Sequence, residues 1–506
     1  MEGQSLSRNA GFNLNFMKVT VIGAGLGGLA ASCLLATKGH EVTVVEKNKR
    51  PGGKIGEVRA QGFRFDTGPS LLTMPFILQS LFQRCGASLE NYLHIEPLDP
   101  ICRYFFKSGL EFDCHQRDCV NIAQIQDFAP EDVQAYRNFM AYSEKLYQRV
   151  KDSFLFNPLY GLSDLISLNW TDFLKIDAFK TVAQRIERQF SSRELQLFFK
   201  RFTTYNGSSP YQAPATMNVI PHVELNLGGH YIKGGIYRLV EALTKLAEKR
   251  GVTFKMNTNV ENIVTRKGTV TGIADTQGHF YASDIVVSNA DAYETYLEVL
   301  EPTDISKLQQ KKIRETEPSG SGFVLLLGVN KTYKQLGHHN IFFSENYQRE
   351  FDQIFNQKTM PDDPTIYVAN TSYSDKDHAP EGASNLFILV NAPYLTEKWN
   401  WQKRGADYQN KIVRILENRG LAGLKKNITY SKAITPHDFY ERYRSNKGSI
   451  YGTSSNSRAS AFLRPHNKSR SVEGLYLVGG STHPGGGIPL VILSALHATK
   501  LIERYE

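Results

Sequence analysis

Near the N-terminus, Gly23-Ala24-Gly25-Leu26-Gly27-Gly28 carries glycines in the order Gly-x-Gly-x-x-Gly, directly behind the β-branched run Lys18–Ile22. In that order Gly23 permits a tight turn, and Gly25 lets the backbone approach a pyrophosphate with no Cβ in the way. Gly28 lets the following helix pack close to its strand. The helix start then offers free N–H groups and a positive dipole end to phosphate oxygens. Glu46 ends the next strand-like run, 18 residues after Gly28, where a carboxylate accepts from ribose hydroxyls and repels a 2′-phosphate. The chemistry is dinucleotide binding, with NADP disfavoured.

Two further glycine clusters decide which dinucleotide. Arg50-Pro51-Gly52-Gly53-Lys54 follows the second strand, and Phe65-Asp66-Thr67-Gly68-Pro69 comes soon after. Adjacent glycines let backbone curl against a large ligand, and Arg50 and Lys54 bring positive charge towards a diphosphate. An NAD site needs no second clasp, so the expected cofactor is FAD. Far along the chain, GLYLV (474–478) runs into Gly479-Gly480-Ser481-Thr482-His483-Pro484-Gly485-Gly486-Gly487-Ile488-Pro489. Here Pro489 suits the first turn of a closing helix. A helix start aimed at a flavin ring would stabilise the negative charge of the reduced ring. His483, in this loop, is the candidate proton relay, against a competing role in fixing the loop. Cys114, His115 and Cys119 lack a fourth ligand at a zinc-like spacing, so no metal is expected.

Holding these groups together takes a βαβ opening, with the helical stretch LAASCLLATK closed by Gly39. A helical stripe of Ile236, Leu239, Val240, Leu243, Leu246 and Ala247 is followed by strand-like runs at 252–256, 260–266, 269–275 and 284–288. The expected fold is α/β, a Rossmann-like FAD-binding domain drawn from residues 17–72, 228–298 and 471–506. A mixed α/β substrate domain takes 73–114 and 299–470. A helical, membrane-contacting subdomain takes 115–227, dense in aromatics and containing the apolar stretch Phe154–Leu168. Residues 1–16 read as an extension ahead of a start at Met17.

Composition sets the outer bounds. At roughly 150 residues per domain, 506 residues give room for these three units. A mean hydropathy of −0.35 with 41% hydrophobic residues excludes intrinsic disorder. No apolar run reaches the ~18 residues of a spanning helix. The net charge of +9 is scattered, with no basic block or nucleic-acid motif, so nucleic acid is not an expected partner. An anionic membrane surface or a polyanionic cofactor accounts for it as well. Five irregularly spaced cysteines fit a reduced, cytoplasmic setting.

With these residues in view, the chain resembles the bacterial-type phytoene desaturases, carotenoid desaturases of the flavin amine oxidase-like group. The matching stretches are VIGAGLGGLAAS (21–32), VVEKNKRPGGK (44–54), FRFDTGPSL (63–71), KGGIYRLVEAL (233–243), VVSNAD (286–291) and LYLVGGSTHPGGGIPLVILSA (475–495). The resemblance spans nearly everything from Met17 to Glu506. It implies FAD contacts at Gly23, Gly25, Gly27, Gly28, Glu46 and Lys47, and at Arg50, Gly52, Gly53, Lys54, Gly68 and Pro69. Further contacts are implied at Asn289, Gly479, Gly480, Gly487 and Ile488, and at Val260, whose backbone would hold the adenine. The implied activity is desaturation of an acyclic carotenoid. A hydride leaves an allylic carbon for the flavin, a neighbouring proton follows, and a C=C forms. The polyene delocalises the developing positive charge, so no acid–base pair is obligatory and no catalytic residue beyond the candidate His483 is assigned. Carotenoid isomerases and oxygenases, amine or protoporphyrinogen oxidases, and the prenyl-binding GDP-dissociation inhibitors stand as alternatives. The last do not retain full FAD motifs.

One segment departs from the pattern. After Tyr136-Arg137 many phytoene desaturases read FLDYSR, whereas this chain reads FMAYSE (139–144), with Ala141 replacing an acid and Glu144 a base. This predicts a late-pathway substrate such as a 1-hydroxycarotenoid undergoing 3,4-desaturation, its hydroxyl held by Glu144. The competing expectation is an ordinary phytoene desaturase with both residues on the surface. Arg201, Tyr205 and His222 flank the expected substrate region. At ~0.8 kcal/mol per buried CH₂, a carotenoid of ~40 carbons does not leave a bilayer for water. Peripheral attachment to the inner face of the membrane, partly through Phe154–Leu168, is therefore expected.

Overall fold

The computed structural model describes residues 16–158, 160, 177, 179–456 and 464–506. Lys18–Ile22 (β1), Glu41–Glu46 (β2), Thr253–Met256 (β3), Ile285–Ser288 (β4) and Leu475–Leu477 (β5) pair in the order β5-β4-β1-β2-β3, parallel throughout. Stretches distant in sequence thus build one sheet. The alternation of side chains along each strand then sorts the apolar residues between two faces. Val19, Val21, Val42, Val44, Ile285, Val287, Tyr476 and Val478 point one way, onto the helices Leu26–Thr37 (α1), Tyr237–Lys249 (α2) and Ile488–Tyr505 (α3). Ile22, Val45, Val286, Leu475 and Leu477 point the other way, onto an antiparallel meander of Val260–Arg266, Thr269–Asp275 and Phe280–Ala282.

The helix Pro75–Arg84 belongs to this same layer. Ile77, Leu78, Leu81 and Phe82 are buried in the core shared with α1 and α3. The expected boundary after residue 72 therefore falls too early, because the apolar side of this helix has its partner in the dinucleotide unit.

A second, seven-stranded sheet runs in the order 428–434, 321–329, 384–392, 366–369, 339–342, 102–105, 111–114. Only the pairing of His339–Phe342 with Cys102–Phe105 is parallel. One face carries Phe323, Leu325, Leu327, Ile388 and Val390 and is covered by the helix Trp401–Asn418 through Tyr408, Ile412 and Leu416. The opposite face presents Val324, Phe387 and Leu389 to a cavity. The helices Asp118–Phe128, Val133–Val150, Val182–Glu187 and Arg193–Lys200 close over the far edge. They meet it through an aromatic core that includes Tyr104, Phe112, Phe139, Phe198, Phe199 and Phe343. Among the described residues, no helix is long and apolar enough to cross a membrane.

Candidate active site

β1 ends at Ile22 because Gly23, with φ of 91°, turns the chain towards α1. The side chain that organises this turn is Asn289, just beyond β4, whose backbone N–H donates to the Ile22 carbonyl at 2.8 Å. A Cβ at Gly25 would stand 2.6 Å from Asn289 Nδ2. One at Gly27 would stand 2.6 Å from its Oδ1, and one at Gly479 2.9 Å from the same oxygen. Both glycine loops thus close around one amide. Gly28 serves helix–strand packing, since a Cβ there would sit 2.1 Å from the Gly23 carbonyl oxygen. No side chain caps α1 at Gly25, so its first N–H groups stay available to an anion.

Glu46 is buried at the end of β2. Its Oε2 accepts from the Ala24 N–H at 2.8 Å, and its Oε1 accepts from Asn48 N–H and Nδ2 at 2.9 and 2.7 Å. The carboxylate is therefore fixed beside the turn and keeps acceptor capacity for a ribose hydroxyl. Thr258 donates its N–H to the Glu46 carbonyl at 2.9 Å, bringing Val260 to the same wall.

From there one cavity, of about 480 Å³, runs past Gly52, Gly53, Lys54, Gly68 and Pro69 to Gly479, Gly480, Gly487 and Ile488. Lys54 donates from Nζ to the carbonyls of Ile450 at 2.7 Å and Ser449 at 3.3 Å. Burial lowers its pKa to about 8 against the opposing pull of Asp291, whose own carboxyl burial pushes upward. Arg464, lowered to about 10 by burial, donates to the carbonyls of Tyr451, Thr453 and Gly480 and so pins the C-terminal loop. A Cβ at Gly487, where φ is 104°, would meet nothing within 4 Å. The start of α3 therefore borders open space at the cavity. Anion-ready N–H groups at one end, a fixed carboxylate and an open helix start at the other form a cradle that fits FAD.

The far end of the cavity is polar. Arg201 Nη2 donates to Glu224 Oε1 and to Tyr104 Oη, and Tyr205 Oη donates to Glu224 Oε2. Arg201 and Glu224 are 6% and 1% exposed. Burial, the largest influence, opposes the Arg201 charge, but Glu224 together with Tyr104, Tyr205 and Cys102 outweighs it and holds the guanidinium above its usual range. Burial first, then the Glu224 charge, raises Tyr205. His339, Tyr347, Tyr367 and Cys102 complete this end, with Tyr367 Oη bonded to His339 Nδ1 at 2.7 Å and to Ser70 Oγ. Burial drives His339 well below its ordinary value, so the ring is neutral.

Most residues expected to touch the cofactor stand on this wall: Gly23, Gly25, Glu46, Lys47, Gly52, Gly53, Lys54, Gly68, Pro69, Val260, Asn289, Gly479, Gly480, Gly487 and Ile488. Four do not. Gly27 and Gly28 lie behind the turn, as their contacts require. Arg50 lies over the Tyr237 ring, 5.2 Å from its centroid. His483 is buried off the cavity, edge-on to Phe154 at 4.8 Å and 5.5 Å from His497. It fixes the loop, and its role as a proton relay is withdrawn.

Three other expectations also change. Ala141 and Glu144 are exposed on the helix Val133–Val150, whose inner side carries Tyr136, Phe139, Met140, Ser143 and Tyr147. Glu144 does not line the cavity and holds no substrate end. His222 packs on Tyr147 and bonds to Asn226, away from the wall, whereas Arg201 and Tyr205 line it. Of the stretch 154–168, Leu155 and Phe156 pack against the α1–α3 core and Phe154 turns onto His483. Residues 159 and 161–168 lie outside those described. Glu224 was missed, although a carboxylate inside the apolar run PHVEL is itself the signal of a buried partner.

Burial lowers His483 to about 4 and His338 and His497 to about 3. In the unfolded chain these rings titrate near ~6.5. Their contribution to stability is therefore complete above that value and lost as pH falls from it towards the folded values. Each ring costs at most ~1.4 kcal/mol per pH unit. The thermal midpoint should fall steeply from pH 6.5 to 4, and a flat midpoint there would contradict neutral burial.

Against known proteins, the sequence model described as flavin containing amine oxidoreductase matches residues 26–502. The 4,4'-diaponeurosporene oxygenase of Staphylococcus aureus (strain MSSA476) is 36% identical over 495 residues, covering 96% of this chain and 98% of that one. Among solved structures, an oxidoreductase from Methanosarcina mazei superposes with a TM-score of 0.64 at 18% identity, covering 96% of this chain and all of the other. A triple mutant of putrescine oxidase gives a TM-score of 0.64 at 13% identity, covering 96% of this chain and 99% of that one. These two likenesses concern the fold.

Proposed function

The chain belongs to the flavin-containing amine oxidoreductase family and is an FAD-dependent oxidoreductase; from that premise we propose that its substrate is a long acyclic carotenoid, oxidised near one end. The observation that carries this reading is the single cavity that continues from the FAD cradle over the apolar face of Val324, Ile341, Phe387 and Leu389. The full-length similarity to an enzyme named for a carotenoid supports it. Bound FAD supplies a hydride acceptor for an allylic carbon. The apolar wall then orients the polyene beside the cradle. Loss of a neighbouring proton from the cation left on the polyene yields a C=C, whereas addition of water with release of a proton yields a C–O bond. The named activity of the relative and the polar far end favour oxygen insertion. Desaturation is the second reading, favoured by the desaturase-like loop 475–495, but its 1-hydroxycarotenoid form has lost Glu144 as a carrier.

The test is reconstitution of FAD-loaded protein with an acyclic carotenoid hydrocarbon in liposomes, followed by mass analysis. A product one oxygen heavier supports oxygen insertion, one lighter by a pair of hydrogens supports desaturation, and no conversion refutes both. Glu46→Ala should weaken FAD binding by about 1.5–3 kcal/mol, through loss of a charge-assisted hydrogen bond and of the Ala24 and Asn48 anchors. Titration of apoprotein with FAD measures it.

We further propose peripheral attachment to the inner face of an anionic membrane. The support is a substrate that does not enter water, a net charge of +9, and the 70% exposure of Phe179. Flotation with anionic liposomes at low salt should carry the protein, and added salt should release it. Absence of binding at low salt refutes the attachment.

A further inference from the structure

A cavity shaped for a hydrocarbon needs an apolar lining, yet the end of this one reached past Ser70 is built from an ion pair, a histidine and tyrosines. Arg201 and Glu224 are both more than nine-tenths buried, and taking two charges out of water costs several kcal/mol per ion before pairing returns any of it. Three side chains on this wall also keep a polar atom without a hydrogen-bond partner: Arg201 Nε, His339 Nε2 and Tyr347 Oη. Each such atom costs ~1–3 kcal/mol unless something else satisfies it. Arg201 Nε can only donate. In the tautomer where Tyr367 donates to His339 Nδ1, Nε2 is a donor too, and the Tyr347 hydroxyl can serve as a third. The pocket is thus short of an acceptor.

Resting on the carotenoid reading above, we infer that this end receives an oxygen function carried at the terminus of the polyene, with Arg201, His339 and Tyr347 as its donors. The oxygen is neutral, a carbonyl or a hydroxyl. Arg201 already has its counter-charge in Glu224, and His339 is uncharged, so a carboxylate would add an unbalanced charge to a buried site. The acceptor this end requires is the one an oxidised chain terminus presents, which makes Arg201, His339 and Tyr347 specificity-determining residues.

Tyr347→Phe is the sharp test, because the hydroxyl it removes bonds to nothing among the described residues. FAD-loaded protein is titrated with liposomes carrying an acyclic carotenoid hydrocarbon, or the same chain ending in an aldehyde, and read by quenching of flavin fluorescence. The wild type should bind the aldehyde about tenfold more tightly, the worth of one or two hydrogen bonds. Tyr347→Phe and His339→Phe should each erase most of that preference while leaving the hydrocarbon's affinity within about twofold, and the melting temperature of Tyr347→Phe should not fall. Equal affinity for both chains in the wild type, or a preference undiminished in both variants, overturns the inference while the carotenoid reading stands. Failure of both chains to bind overturns the carotenoid reading and this inference with it.

Discussion

Gly25→Val protein should be isolated without flavin and should not recover it from added FAD. The first methyl-bearing carbon of valine would arrive 2.6 Å from Asn289 Nδ2, well inside van der Waals contact. Asn289 has nowhere to retreat. Its backbone is tied to Ile22, and its side chain is hemmed in by Gly27 on one side and Gly479 on the other. The clash therefore passes through one amide to both glycine loops, and the cradle opens at its two ends together. β-branching adds to this, since valine cannot swing its methyls away from the N-cap position. The flavin-to-protein absorbance ratio reports the outcome, and circular dichroism shows whether the rest of the fold survives. A yellow Gly25→Val protein would refute the placement of the dinucleotide.

The second large effect concerns stability. Arg201→Met should destabilise the protein by about 3–5 kcal/mol, because it leaves the Glu224 carboxylate buried with no cation. Arg201 also reaches Tyr104 on the strand Cys102–Phe105, so its loss loosens the helical layer from the seven-stranded sheet. The double variant Arg201→Met/Glu224→Gln should regain a substantial part of the loss, since removing both charges removes the uncompensated one. Urea unfolding of the three proteins measures the difference. An unaltered single variant would mean that water reaches this end freely.

The dinucleotide unit was legible in sequence because its signals are local. β1, the glycine turn, α1 and β2 lie within the 29 residues from Lys18 to Glu46, and each strand alternates visibly. The seven-stranded sheet was not legible, since its strands come from 102–114 and 321–434 and one pairing, Asn340 with Arg103, spans 237 residues. No periodicity announces that His339–Phe342 lies parallel to Cys102–Phe105. The misplacement of Glu144 had a local remedy. Tyr136, Phe139, Met140, Ser143 and Tyr147 recur at helical spacing, which turns positions 141 and 144 outward. Asn289 entered the sequence reading only through the VVSNAD match, because a wedge between two loops is a property of the assembled turn. Glu224 carried a signal in its apolar neighbours, but its partner Arg201 lies 23 residues away and was weighed alone.

β5 and α3 are the last parts of the five-stranded sheet to be synthesised, and Gly479 closes on Asn289 only when they dock. A nascent chain that has emerged through residue 470 can hold β1, β2, β3 and β4 in register but still lacks half of its flavin clasp. Cofactor uptake must therefore wait until residues 475–505 have emerged. Flavin loading then acts as a checkpoint on chain length, and fragments cut before residue 475 should leave the ribosome colourless however well their other layers have folded.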